Sequence, residues 1–219
     1  LATQGGSKVK NHVDGMLRAL ENDKVQPKLV HRLDRETSGV LIVAKNAAAA
    51  RNLGKSLKHR DAQKYYWAIV APAPELPDGV IEARIAKGAA RGGEYMMVND
   101  EDGKYSKTEY QVVERAWTKA AWLMMQPETG RTHQLRIHAQ LMGCPIIGDS
   151  KYGPEEPIII EDLDNVDKLH LHARRLIIPH PSGKGMIDVY ADLPKHMVES
   201  FKFFGFHEHV AEAFYEDGQ

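Results

Sequence analysis

The stretch from 79 to 128 constrains the fold more than any other part of the chain. Runs rich in β-branched, aromatic and other apolar residues near 80–86, 94–99, 105–116 and 120–126 are separated by Gly88, Gly92-Gly93 and Gly103. Strand-forming runs punctuated by turn residues read as a meander, in which successive strands pair antiparallel. Ahead of them, Tyr65, Tyr66, Trp67, Ile69 and Val70 mark another strand over 63–71, because such side chains favour a pleated surface. Pro72-Ala73-Pro74 breaks that pattern.

Helices are predicted on either side. Ser7 can cap a helix over 8–20, with Val9, Val13, Met16, Leu17 and Leu20 along one face. Asn46 can cap a second helix running to about 59, amphipathic through Leu53 and Leu57. A third follows Gly130 over about 131–142 and is closed by Gly143. Residues 153–168 read as a Pro- and acid-rich surface loop, and 169–179 with 185–192 as a strand pair around Pro181-Ser182-Gly183. The tail at 194–216 reads as helical, with Met197, Val198, Phe201, Phe204 and Phe206 covering the core. These elements describe an α+β domain with a large mixed, mainly antiparallel sheet flanked by helices. At 219 residues the whole chain, 1–219, suits one well-cored domain.

Chemistry concentrates between 29 and 44, where two apolar, β-branched runs flank the polar segment His31-Arg32-Leu33-Asp34-Arg35-Glu36-Thr37-Ser38-Gly39. The pattern reads strand, tight turn, strand. Arg32 and Arg35 favour the charged form of Asp34, and an ionised, fixed carboxylate serves as a nucleophile or a base. Asp is also a common turn residue because its side chain hydrogen-bonds the turn backbone. Spacing by itself leaves both roles open.

Composition narrows the setting. The single Cys144 cannot form an internal disulfide, which fits a reducing cytoplasm. No run approaches the ~20 apolar residues of a membrane span, and no signal-peptide pattern opens the chain. The net charge of −1 is low for a nucleic-acid binder, but phosphate binding needs only a local basic surface. Charge is segregated accordingly. Arg51, Lys55, Lys58, Arg60 and Lys64 face only Asp61 within 51–64, whereas 155–167 carries acids and no basic residue. The basic segment is expected to flank RNA and the acidic one to face away from it. The 11 histidines do not make a metal site: His133 and His138 point in different directions on a helix, and His170 and His172 have no acid or Cys at ligand spacing.

His31-Arg32-Leu33-Asp34 followed by Thr37-Ser38-Gly39 resembles the signature of the RluA/RluC/RluD family of ribosomal and transfer RNA pseudouridine synthases. Lys64-Tyr65-Tyr66-Trp67-Ala68-Ile69-Val70 resembles that family's second motif, and Thr129-Gly130-Arg131-Thr132-His133-Gln134-Leu135-Arg136-Ile137-His138 its third. Gly148-Asp149-Ser150-Lys151-Tyr152-Gly153, and Leu169-His170-Leu171-His172-Ala173 through His180-Pro181, resemble two later ones. Gly5-Gly6-Ser7 and Gly143-Cys144-Pro145-Ile146 look most like the RluC branch. Against the family pattern the chain begins at the last residue, Leu1, of a Lys-Pro-Ala-Gly-Leu-like loop. It is therefore read as a catalytic-domain fragment, without the family's amino-terminal strand or an S4-type RNA-binding domain.

The resemblance implies a pseudouridine synthase fold with a central cleft, and conversion of specific uridines to pseudouridine. That isomerisation breaks a C–N glycosidic bond and rejoins the base through carbon, with no cofactor and no metal. By resemblance Asp34 is the catalytic carboxylate, acting through a covalent adduct or a glycal-like intermediate. Tyr66 is the active-site ring, able to stack on uracil and assist proton transfer, while Tyr65 points to the opposite strand face. Arg136 is the third member. A guanidinium near a helix amino end needs an acidic partner, and Asp34 is the expected one. Arg32, Lys64, Arg131 and His133 are candidates for holding phosphates or the flipped nucleotide. The expected substrate is 23S, large-subunit ribosomal RNA; transfer RNA and a non-catalytic RNA-binding relative are the alternatives. A glycosidase using Asp34 would need a second acid at a defined separation, and no motif offers one.

Overall fold

The computed structural model describes residues 3–4, 11–22, 25–59, 61–88, 95–156 and 160–216. In chain order its elements begin with α1 Val13–Leu17, β1 Lys28–Leu29, β2 Ser38–Gly39, β3 Val43–Ala44, α2 Ala47–His59 and β4 Gln63–Val70. There follow β5 Asp78–Gly88, β6 Tyr95–Val98, β7 Lys104–Ala116, β8 Ala120–Pro127 and α3 Gln134–Leu141. The last are β9 Leu171–Pro179, β10 Met186–Tyr190, α4 Lys195–Phe204 and α5 Glu212–Glu216. The chain divides into two compact units, Leu1–Lys64 with Ala173–Asp192, and Tyr65–His172 with Leu193–Gln219.

In the first unit α1 is shorter than predicted and continues into a single 3₁₀ turn, Arg18–Leu20. Its described cap is His12, whose Nδ1 accepts from the Gly15 N–H at 2.9 Å; Ser7, Val9 and Gly5-Gly6 lie outside the described residues. Among the described residues of the predicted face only Leu17 is buried, because five helical residues cannot present a full apolar stripe. The second helix is as expected: Asn46 Oδ1 accepts from the Ala49 N–H at 2.9 Å. Leu53 and Leu57 pack with Ala44, Ala62, Leu176 and Ile178.

The long hairpin predicted over 29–44 is reduced to two-residue strands. β1 pairs with β3 through Lys28↔Ala44 and Leu29↔Val43, and β2 pairs with β9. Backbone donors that would extend the ladder go elsewhere. Leu33 N–H donates to Thr3 Oγ1 (3.2 Å), Ile42 N–H to His31 Nε2 (2.9 Å) and Val40 N–H to the Ala173 carbonyl (2.9 Å). β9 and β10 form the predicted antiparallel pair.

In the second unit the strands run in the order β4-β8-β7-β5-β6, every neighbour antiparallel. The predicted strands are present, but they do not form a simple meander. β7 skips β6 and pairs with β5 over Asp78↔Gln111 to Ile85↔Lys104, leaving the four-residue β6 at the edge. Along β4 the side chains alternate. Tyr66, Ala68 and Val70 join a core with Leu123, Met125, Leu135 and Ala139. On the opposite face Trp67 meets Trp122 edge-on at 4.6 Å and stacks on Phe201 at 5.9 Å. Met197, Phe201 and Phe206 of the tail are buried as predicted, whereas Val198 is exposed, because a helix turns about 100° between neighbours and Met197 faces the core. Residues 153–156 and 160–168 carry turns and no strand or helix, with Leu163 buried beneath them.

Candidate active site

Asp34 opens a β-turn, its carbonyl accepting from the Thr37 N–H at 3.0 Å. The turn is held from both ends. On the approach, Thr3 Oγ1 donates to the Leu33 carbonyl (3.0 Å) and accepts from the Leu33 N–H, a side chain standing in for a strand partner. On the exit, Gly39 lies against β9 at φ +116°, where an added Cβ would sit 2.2 Å from the Ala173 carbonyl oxygen. Only glycine allows that approach. Asp34 is half-buried between exposed Arg32 and Arg35. Among the described residues the buried Thr37 hydroxyl has no hydrogen-bond partner, a condition that costs about 1–3 kcal/mol unless a ligand relieves it.

His31 stays neutral in the same unit. Burial, then the charge of Lys64, lowers its pKa to about 4, and its Nε2 accepts from Ile42. Lys64 is itself half-buried, and that burial lowers its pKa. Lys64 is thus a partly desolvated cation rather than a fully solvated surface charge.

In the second unit Tyr66 is half-buried opposite Met125, with its ring against the core beneath α3. Tyr65 occupies the other face as expected and meets Tyr215 edge-on at 5.0 Å. Arg136, in the first turn of α3, is only 2% exposed. Asp34 is the expected partner, whereas the carboxylate in the Arg136 fork is Asp149: Nε donates to Oδ2 at 2.7 Å and Nη2 to Oδ1 at 2.5 Å. Oδ1 also accepts from the N–H groups of Lys151 and Tyr152. Burial pushes the Asp149 carboxyl up, yet the bonds and charge of Arg136 and the two backbone donors outweigh it, and the net shift is downward.

The segment leading into α3 is locked to β7 by Gln134. Its Oε1 accepts from Thr129 Oγ1 (2.7 Å) and the Arg131 N–H (3.0 Å); its Nε2 donates to the Lys107 carbonyl and Thr108 Oγ1, both at 2.9 Å. Every polar position of that amide is used. Beyond it, Ser106 donates to the Ala83 carbonyl, so His138 Nε2 must carry the hydrogen facing Ser106 Oγ, and Nδ1 accepts from Thr108. Burial lowers the His138 pKa to about 4, consistent with that neutral tautomer.

His133 turns the backbone at φ +54° and is buried, with Nδ1 2.7 Å from the Tyr152 hydroxyl. That hydroxyl also accepts from the Met96 N–H (3.0 Å), and the Arg136 guanidinium lies 5.2 Å from the Tyr152 ring centroid. His133 therefore belongs to the frame around Arg136. Arg131 is exposed and donates through Nε to the Tyr105 carbonyl at 3.0 Å. Sequence reasoning placed Thr37, Gln134, Asp149 and Tyr152 in motifs but gave them no role, and it missed Thr3. The signal for Asp149 was an Arg near a helix start; Thr3 left none, since it acts across thirty residues.

Residues 1–141 match the family model described as RNA pseudouridylate synthase. Ribosomal large subunit pseudouridine synthase C of Rickettsia typhi (strain ATCC VR-144 / Wilmington) is 40% identical over 194 residues, 89% of this chain and 62% of that protein. The protein of the same name from Vibrio cholerae serotype O1 is 34% identical over 199 residues, 91% of this chain and 62% of its own length. The chain thus spans less than two thirds of these curated relatives. Among solved structures, human RNA pseudouridylate synthase domain containing 4 superposes with a TM-score of 0.76 at 26% identity, covering 94% of this chain and 86% of that one.

Proposed function

The chain belongs to the RNA pseudouridylate synthase family, and from that premise we propose that it isomerises uridine to pseudouridine in large-subunit ribosomal RNA. The observation that carries this reading is the turn at Asp34. A carboxylate opens it, Thr3 and Gly39 hold its two sides, and the Thr37 hydroxyl lies buried beside it. The N1–C1′ bond of the target uridine breaks, the uracil turns, C5 bonds to C1′, the proton on C5 is lost and N1 takes one up, so the composition is unchanged. Asp34 acts at the sugar, through a covalent adduct or a glycal-like species; Tyr66 faces the base and assists the final proton transfer. Arg136, preorganised by Asp149, supplies fixed positive charge to the same reaction. Arg32, Lys64 and Arg131 contact the backbone of the flipped nucleotide, and His133 keeps α3 in place. The substrate class rests on the names of the relatives, which are ribosomal large subunit synthases. Residues 1–219 act as one catalytic domain in the cytoplasm, needing no cofactor.

The test is tritium release from large-subunit ribosomal RNA that carries 5-tritiated uridine and lacks the modification, comparing the chain with Asp34→Asn. Release by the chain and none by the variant is the expected result. Equal release by both would remove Asp34 from the chemistry. Release from transfer RNA but not from ribosomal RNA would move the substrate.

A further inference from the structure

Helix α2 has one face in the core and another that is exposed and entirely without acids. Ala50, Leu53 and Leu57 pack inward. The exposed positions Arg51, Asn52, Lys55, Lys58 and His59 recur at spacings of three and four, which places them on one side of the helix. No Asp or Glu occurs anywhere in the helix. Solvated helix faces normally mix the two signs, because i,i+4 pairs of opposite charge support the helix and like charges at that spacing weaken it. Arg51 and Lys55 stand at that unfavourable spacing with no acid in the helix to relieve it. A single-sign face with a local cost is the pattern expected where a polyanion supplies the missing charge.

A second element extends the same surface. Asn52 Nδ2 donates to the Pro181 carbonyl at 2.7 Å, fastening the helix to the β9–β10 connection within the same unit. That connection carries exposed His180 and Lys184. Its shape is fixed by Gly183 and Gly185, both at positive φ, and by the His180 N–H bond to the Gly185 carbonyl (2.9 Å). Lys184 is therefore presented on a defined loop beside the helix.

We propose that the exposed face of α2 and the β9–β10 connection together form a phosphate-binding surface for RNA flanking the target nucleotide. The proposal rests on the reading of the chain as an RNA-modifying enzyme. From Arg51 to Lys58 the helix advances about 10 Å, long enough to span several phosphates of one strand. Contacts of this kind set register and affinity without reading bases.

The experiment measures binding of an unmodified large-subunit ribosomal RNA transcript as a function of salt, for the chain and for Arg51→Gln/Lys55→Gln. Glutamine keeps helix propensity close to that of Arg and Lys, and the far-ultraviolet dichroism of the variant checks that α2 persists. The double variant should bind at least several-fold more weakly at low salt. Its log–log salt slope should be shallower by about 1.5, because two phosphate contacts are lost. The same change in slope should appear on polyadenylate, which offers phosphates but no uridine. An unchanged slope overturns the surface. So does a loss confined to anionic phosphatidylglycerol vesicles, which would mark a membrane contact instead. Tritium release by the chain keeps the two readings apart: turnover with an unchanged slope removes the basic surface and leaves the enzyme, whereas no RNA binding by the parent chain removes both.

Discussion

Asp149 closes the guanidinium fork of Arg136 with two near-parallel bonds of 2.7 and 2.5 Å, and both side chains are almost wholly shielded from water. Such a pair is costly to bury and more costly to break, because removing one partner strands the other charge. Asp149→Asn should therefore destabilise the chain by about 3 kcal/mol, while Arg136→Met/Asp149→Leu should lose much less than the two single losses combined. Urea unfolding of Asp149→Asn, Arg136→Met, Asp149→Leu and the double variant measures this directly. A loss below about 0.5 kcal/mol for Asp149→Asn would mean that the buried pair contributes no more than a solvent-exposed ion pair does.

Acid should unfold the protein earlier than its carboxylates alone would dictate. Burial lowers His31, His138 and His170 from 6.5 to about 4, with Lys64 and His196 adding to the shift for His31 and His170. Between those values the unfolded chain binds protons that the folded one refuses, so stability rises with pH through the window and levels off above it. Asp149 is lowered from 3.8, so its contribution is present above that value and disappears as pH falls through its folded pKa. The urea midpoint should be flat above pH 7, decline from about 6.5 to 4 and fall further below. His138→Gln should flatten the upper limb. A midpoint unchanged between pH 7 and 5 would rule out neutral buried histidines.

Much of this was legible because it is local. The Asn46 cap, the alternation of Tyr65 and Tyr66, and the extents of β5, β7 and β8 follow from neighbours within a few residues. The failures share a cause, which is competition from distant partners. Thr3, His31 and Ala173 draw off the backbone bonds of 29–44 and shorten its strands. The long β5 and β7 outcompete the four-residue β6 for each other's edge. Arg136 illustrates both sides. Its position at a helix start predicts an acidic partner, but the carboxylate that fills the fork comes from thirteen residues downstream, through a turn whose geometry no periodicity reveals.

Gly39 should tolerate no side chain. The added methyl of Gly39→Ala meets the carbonyl, nitrogen and carbon of Ala173 at 2.2–2.7 Å, all of them backbone atoms that cannot step aside. The positive φ adds strain of its own. The substitution should cost more than about 1 kcal/mol and loosen the turn that carries Asp34. Tritium release should then fall further than the remaining folded fraction explains, whereas Gly54→Ala, inside α2 with nothing within 4 Å, should leave release intact and raise stability by about 0.5–1 kcal/mol. Equal behaviour of the two variants would discount the close approach.

Trp117 offers the opposite case, a residue whose replacement should strengthen the fold. It sits in the β7–β8 connection at φ +56° and is 90% exposed, so a bulky side chain occupies left-handed backbone while burying almost nothing. The loop does not depend on the ring. Its shape comes from the Lys119 N–H donating to the Ala116 carbonyl (3.2 Å) and the Thr118 carbonyl accepting from the Ala73 N–H (3.0 Å). Asparagine enters that conformation readily through its short polar side chain, so Trp117→Asn should raise stability by about 0.5–1 kcal/mol. Glycine removes the same strain but gives the unfolded chain more freedom, and Trp117→Gly should gain less. Valine, branched at Cβ, should lose stability at the same position. Urea unfolding followed by far-ultraviolet dichroism ranks the three without relying on the fluorophore that has been removed. The order Asn, Gly, Trp, Val, from most to least stable, is the outcome that backbone strain demands. A destabilised Trp117→Asn would show instead that the ring is held by a contact worth more than the strain.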